Sequence, residues 1–200
     1  MPKIKHTKNE LKTQRDALLR FRRYLPTLEL KKQQLQVEVR RLQRALEEKQ
    51  AEYDRLMAGL ESWVALFAED AGLETLIRLA AVRVSETNIA GISIPVFQEA
   101  VFERKAPDLF DTPPWIDDAM DFLESAQRVL IEKRILEQEL ALLKEELLVT
   151  SQRVNLFEKI KIPEAAENIR VIRIFLGDEQ TAGVARSKIA KAKSEALRSA

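Results

Sequence analysis

The sequence has 200 residues, of which 46% are hydrophobic and 32% charged, so it can form one or two folded domains. Five glycines and 6% aromatic residues disfavour a β-rich fold, and the lack of cysteine excludes disulfides and thiolate metal sites. The sequence contains no run of about 18 apolar residues, the length that a helix needs to cross a membrane. The polar, basic start resembles no secretory signal, so we expect a cytoplasmic protein.

The first predicted element is a long helix over residues 11–63. Its apolar residues recur at alternating spacings of three and four, which places them in one narrow stripe that requires a partner helix. At about 1.5 Å per residue, such a helix is on the order of 80 Å long. Gln14, Lys32 and Lys49 are polar exceptions in the stripe, and Pro26 predicts a bend.

A short helix and a β-hairpin are predicted in the middle segment, residues 64–116. A helix over Leu73–Leu79 is followed by two stretches with a periodicity of two, which is typical of paired strands. Their apolar positions are Val82, Val84, Ile92, Ile94 and Val96. A lone two-stranded hairpin is marginally stable in water. We therefore expect these five residues to rest on the long helices and the hairpin to help bind a partner.

A proline-rich loop over residues 105–115 leads to the second long helix, which begins near Asp117. Two apolar rows run along this helix, and between Lys161 and Ile162 the stripe slips by one position, as a kink at Pro163 would produce. If the long helices run antiparallel, the numbers of facing residues add up to about 182.

These elements predict a mainly α fold. Residues 1–63 and 117–200 form a long antiparallel two-helix coiled coil, and the middle segment, 64–116, contributes the short helix and the hairpin. In this arrangement the two chain ends lie at the same end of the molecule.

Both chain ends are basic. Residues 1–24 carry eight basic and two acidic side chains, and residues 186–200 carry five basic and one acidic. If the ends meet, they create one basic pole; alternatively they are two solvated basic tails. The candidate partner contacts in these segments are Arg20, Arg22, Arg23, Lys188 and Lys191.

Catalytic motifs are missing from the sequence. It has no phosphate-binding loop and no dinucleotide fingerprint, and His6 is its only histidine. Acidic pairs such as Glu47-Glu48 and Asp117-Asp118 are adjacent, and adjacent residues do not face each other on a helix. We therefore predict no catalytic residue, no cofactor and no metal site.

Three blocks of sequence resemble a known family. They are Tyr24–Lys32, Asn88–Phe97 (Asn-Ile-Ala-Gly-Ile-Ser-Ile-Pro-Val-Phe) and Gln152–Glu158 (Gln-Arg-Val-Asn-Leu-Phe-Glu), the last followed by Ile162-Pro163. Together they resemble the D subunit of V-type (vacuolar/archaeal-type) rotary ATPases, in its bacterial branch.

The resemblance implies a non-catalytic rotor shaft in the central stalk. The paired terminal helices would lie inside a ring of A and B subunits, and the middle segment would hold the small F subunit. The lower end would rest on a funnel-shaped subunit above the membrane ring. The shaft would couple ATP synthesis or hydrolysis to ion transport and would be peripheral to the membrane.

Two other functions are compatible with the helical pattern. The first is a free-standing coiled-coil scaffold or adaptor, but such a protein gains nothing from the slip at Pro163 or from Gly177 and Gly183. The second is nucleic-acid binding by the basic ends, which lack interleaved aromatic residues and a recognised fold signature.

Overall fold

The computed structural model describes residues 4–69, 72–108 and 112–198. Its main elements are helix α1 (Lys8–Leu60), helix α2 (Leu73–Leu76), strands β1 (Ile77–Ile89) and β2 (Ile92–Arg104), and helices α3 (Ile116–Leu156) and α4 (Ile162–Arg198). A 3₁₀ turn, Val64–Ala68, follows α1, and a π-helical turn, Phe157–Lys161, joins α3 to α4. The predicted fold, mainly α with a central antiparallel hairpin, is confirmed.

By its internal contacts the chain forms two compact units. The terminal unit contains the two chain ends, up to Leu30 and from Thr150 onward, and the hairpin unit contains Lys31–Val149. Helix α1 contributes to both units, as its bounds show. The sequence predicted three segments, 1–63, 64–116 and 117–200. They are consecutive stretches of the chain rather than compact units, and this division stays a prediction.

In the hairpin unit, α1 and α3 pack antiparallel around an apolar core. The core consists of Leu35, Val39 and Leu42 from α1, Leu140 and Leu143 from α3, and Ile94 from β2. All the helical members lie in the heptad rows of the sequence, because a spacing of three and four keeps them on one side of each helix. Ile94 is only 1% exposed, so the hairpin supplies part of this core.

The terminal unit repeats the antiparallel pairing. The amide of Asn168 donates to the Gln14 side chain at 3.3 Å, and the rings of Phe21 and Phe157 are 5.2 Å apart. The residue numbers of the first pair add up to 182, as the antiparallel register predicts. Ala165, Ile169 and Ile172 are buried on the α4 side, in line with the predicted apolar row.

The π-helical turn explains the slip of the apolar stripe. The Ile162 amide donates to the Phe157 carbonyl, five residues earlier, so the turn holds one residue more than an α-helical turn. One extra residue rotates all later side chains by one position. The slip therefore arises in the π turn, and the expected kink at Pro163 is not its cause. Pro163 is the second residue after the π turn within the continuous helix and, lacking a backbone N–H, donates no hydrogen bond to the preceding turn.

The two strands are longer than the sequence predicted. Helix α2 ends at Leu76, and Ile77 to Leu79, expected as helix, already belong to β1. The strands are joined by the two-residue turn Ala90-Gly91, in which both φ angles are positive, 52° and 85°. Such a turn matches the twist of the flanking strands.

The expectation that all five apolar hairpin residues rest on the long helices is wrong for Val82 and Val84. Ser85 pairs with Val96, and adjacent strand residues point to opposite faces, so Val84 and Val82 lie on the face opposite to Val96 and Ile94. The side chains of Val82 and Val84 are 38% and 47% exposed. They do not rest on the helices, whereas Ile94 is buried and Ile92 and Val96 are half-buried.

The core of the hairpin unit can be tested at two neighbouring leucines of α3. Leu143 is fully buried and Leu142 is 39% exposed. We predict that Leu143→Ala lowers the free energy of unfolding by about 2–5 kcal/mol because it leaves a cavity. Leu142→Ala should cost less than about 0.5 kcal/mol. Denaturant unfolding followed by circular dichroism measures both, and equal losses would contradict this core.

Candidate partner-binding site beside the hairpin

Lys49, a polar exception in the heptad stripe, connects the two helices of the hairpin unit. Its ammonium lies 2.6 Å from a Glu132 carboxylate oxygen on α3 and 2.9 Å from Glu52 on its own helix. Hydrogen bonds to Glu132 and Glu52 raise the pKa of Lys49 above its usual value. A charged residue inside an apolar stripe favours a single register of the two helices when its partner is within reach in one alignment alone.

A cavity of about 760 Å³ lies around this ion pair. Three elements form its wall: α1, β2 and α3. The lining residues are Ala45, Glu48, Lys49, Glu52 and Arg55 from α1, Val96 and Phe97 from β2, and Glu132, Leu136 and Glu139 from α3. Its volume falls within the range of about 300–1,000 Å³ that is usual for ligand sites.

Glu139 is the unusual member of this lining. Only 5% of the residue is exposed, and within the described part of the chain its carboxylate has neither a hydrogen bond nor an ion pair. Loss of hydration raises the pKa of Glu139, and the positive charge of Arg41 only partly opposes this effect. Glu139 therefore places a largely desolvated carboxylate on the wall of the cavity, where a cation would lower the free-energy cost of its charge.

Ion pairs fix the base of the hairpin to α3. The Arg104 guanidinium lies 2.7 Å from Asp121 and donates to Glu124 at 2.8 Å. These two carboxylates raise the pKa of Arg104, Asp121 having the larger effect. Farther along the ribbon, Arg83 contacts Glu99 at 3.1 Å on the exposed surface. The hairpin is therefore held at its base and at Ile94, while Val82 and Val84 are left uncovered in this structure.

The basic candidates from the sequence all lie in the terminal unit. Arg20, Arg22 and Arg23 are exposed on α1, on either side of Phe21, which contacts Phe157. Lys188 and Lys191 are exposed on α4, beyond Phe175, which contacts His6. The structure thus places the arginines and the lysines at different levels of the terminal unit rather than in one cluster. Their role as partner contacts stays a prediction.

The described residues contain no group of three His, Asp or Glu side chains that could hold a metal ion. Within the same part of the chain, no helix is long and apolar enough to cross a bilayer.

Glu139 could not be recognised from the sequence, because no pattern distinguishes it from the surface glutamates of α3. It lines a cavity that α1 and β2 also form, and the helical periodicity of α3 carries no information about how those elements pack beside it.

The titration of Glu139 can be tested by Glu139→Gln. A glutamate whose pKa is raised on folding binds its proton more tightly in the folded state, so it lowers stability as the pH rises above its ordinary value of 4.5. We predict that Glu139→Gln raises the Tm at pH 7 by about 2–4 °C, which corresponds to about 1 kcal/mol. The gain should vanish near pH 4. Thermal unfolding at both pH values measures it, and a pH-independent difference would contradict the assignment.

Comparison with known proteins identifies the family. The family model for the D subunit of ATP synthases matches residues 10–192. The V-type ATP synthase D subunit of Borreliella burgdorferi is 45% identical over 191 residues, which cover 96% of this chain and 95% of that protein. The protein of the same name from Chlamydia muridarum is 35% identical over 196 residues, or 95% of each chain. Over nearly its whole length, therefore, the chain belongs to the D-subunit family of ATP synthases, a family of non-catalytic subunits.

Proposed function

We propose that this chain is the central-stalk shaft of a V-type rotary ATPase or ATP synthase. It couples ATP synthesis or hydrolysis in a ring of A and B subunits to ion transport through a membrane ring. It works at the cytoplasmic side of the membrane, as a peripheral part of the complex. The observation that carries the proposal is the family match over residues 10–192, supported by relatives that are named as the D subunits of V-type ATP synthases.

The packing of the helices suits the transmission of torque. Twisting one helix against its partner would separate fully buried side chains such as Leu35 and Leu143, and closely packed interiors resist such displacement. In the terminal unit, Ile172 is fully buried in the same way. A rotor made of a single helix would lack this resistance, so the antiparallel pairing within each unit supports the proposal.

Each proposed partner corresponds to a different surface. The small F subunit binds at the hairpin, where Val82 and Val84 offer exposed apolar area. The A and B ring surrounds the terminal helices and faces their basic residues. The funnel-shaped subunit contacts the turn after α1, where the rings of Trp63 and Phe67 are 5.3 Å apart.

The F site is tested by adding a charge to the exposed face of the hairpin. We predict that Val84→Asp weakens the binding of purified F subunit about 10-fold, because a charge replaces an apolar contact at the interface. Val184→Asp is the matched control, since Val184 is 57% exposed on α4 and lies in the other unit. Isothermal titration calorimetry measures both affinities.

The outcome that contradicts this F site is equal binding by both variants, which would place F on another surface. Ile94→Asp is not a suitable variant for this test. Ile94 is buried among Leu35 and Leu143, so a charge there damages the fold itself.

The ring contacts are tested by deleting residues 184–200. We predict that the truncated chain still binds F, because the hairpin unit is untouched, but that it holds the A and B ring less tightly. In the reconstituted complex ATP hydrolysis should persist, while ion pumping per ATP falls severalfold. Both rates are measured in parallel on the same preparation, with the full-length chain as the control. Full coupling in the truncated complex would show that the basic C-terminal segment is dispensable.

A further inference from the structure

The cavity beside the hairpin is amphipathic. Its lining includes the apolar residues Val96, Phe97 and Leu136. It also includes six charged residues, four acidic and two basic: Glu48, Lys49, Glu52, Arg55, Glu132 and Glu139. The acidic excess means that the cavity is electrostatically suited to a cation.

The internal ion pairs do not use up this negative charge. Lys49 is shared between Glu132 and Glu52, and the Arg55 guanidinium donates to the Ala51 carbonyl at 3.1 Å. No ion pair involves Glu48 or Glu139 within the described residues. Of these two carboxylates, Glu139 is the buried one, at 5% exposure.

A buried carboxylate is normally satisfied by a hydrogen-bonding cation. A lysine or arginine side chain suits this cavity, because its aliphatic part can pack on Val96, Phe97 and Leu136 while its charged end reaches the Glu139 carboxylate. The cavity also adjoins β2 of the hairpin, the element to which we assign the F subunit. Val96 lines the cavity from the face of β2 opposite to Val84, so a protein bound on the Val84 face reaches the cavity around the outer edge of β2. No further strand pairs with that edge in the described part of the chain.

We infer that the cavity is a receptor for one lysine or arginine side chain of the partner bound at the hairpin, and that Glu139 pairs with its charged end. This inference rests on the proposed binding of F at the hairpin and adds the chemistry of recognition. Charge-assisted hydrogen bonds of this kind are strong and directional, so the pair fixes the orientation of the bound partner.

The test begins with Glu139→Gln and purified F subunit. Removal of one member of a buried charge pair should weaken binding about 10-fold or more, mainly through faster dissociation. Glu137→Gln is the matched control, because Glu137 is exposed on the same helix and should leave the affinity unchanged within about twofold. A Tm of Glu139→Gln at pH 7 that is at least as high as that of the wild-type chain excludes misfolding as the cause of weaker binding.

The partner side chain is then identified by a double-mutant cycle. Each lysine and arginine of F is replaced in turn by glutamine, and binding is measured to the wild-type chain and to Glu139→Gln. One replacement should weaken binding to the wild-type chain about 10-fold but have little further effect on the variant. If no replacement shows such coupling, or if Glu139→Gln binds F as tightly as the wild type, the inference is wrong.

These outcomes separate the inference from the proposed function. If Val84→Asp weakens F binding while Glu139→Gln does not, F binds at the hairpin but inserts no cation into the cavity. If neither variant changes the affinity for F, the hairpin is not its site and both statements fail.

Discussion

The structure depends on the register between helix α1 and the helices that follow the hairpin. Apolar side chains alone tolerate sliding by a whole heptad, because leucine packs against leucine at many levels. Polar groups within the stripe do not, since each needs its own partner. Lys49 finds Glu132 in the hairpin unit, and Gln14 finds Asn168 in the terminal unit. A shift of either pair would leave polar groups unsatisfied between the helices.

The hairpin is stable because helices α1 and α3, held in this register, provide an apolar surface and charged groups that bind it. A two-stranded ribbon has too little apolar surface to fold alone. Here Ile94 enters the space between α1 and α3, and Arg104 is fixed to α3 by two carboxylates. With one face anchored in this way, the other face remains available, and the exposed Val82 and Val84 follow directly from the anchoring of Ile94.

The helical part of the fold could be predicted because its signal is local and repeated. The spacing of three and four identified Leu35, Leu42 and Leu143 as core residues, and the antiparallel sum of about 182 is met by Gln14 and Asn168. The π turn is visible in the sequence only as a slip of one position, which a kink at Pro163 would explain equally well. A slip in the apolar pattern indicates one extra residue, but it does not show at which backbone hydrogen bond that residue is inserted.

The hairpin and its cavity were harder to predict because they depend on contacts between distant segments. Alternation identified the apolar positions of both strands, but it could not show that Val84 and Val96 lie on opposite faces, which follows from the pairing of Ser85 with Val96. Glu139 follows Glu137 and Gln138 in the sequence, and such polar residues are typical of a solvated helix face. In the structure it is only 5% exposed and lies beside the cavity formed by α1, β2 and α3.

Observation of single complexes can show whether this chain rotates inside the ring, as we propose. The sequence contains no cysteine, so Glu61→Cys, at an exposed position after α1, gives a unique attachment point for a probe. The ring of A and B subunits is fixed to a surface and supplied with ATP. If the chain is the rotor, the probe turns in one direction in discrete steps. A ring that retains the labelled chain and hydrolyses ATP while the probe stays still would contradict it.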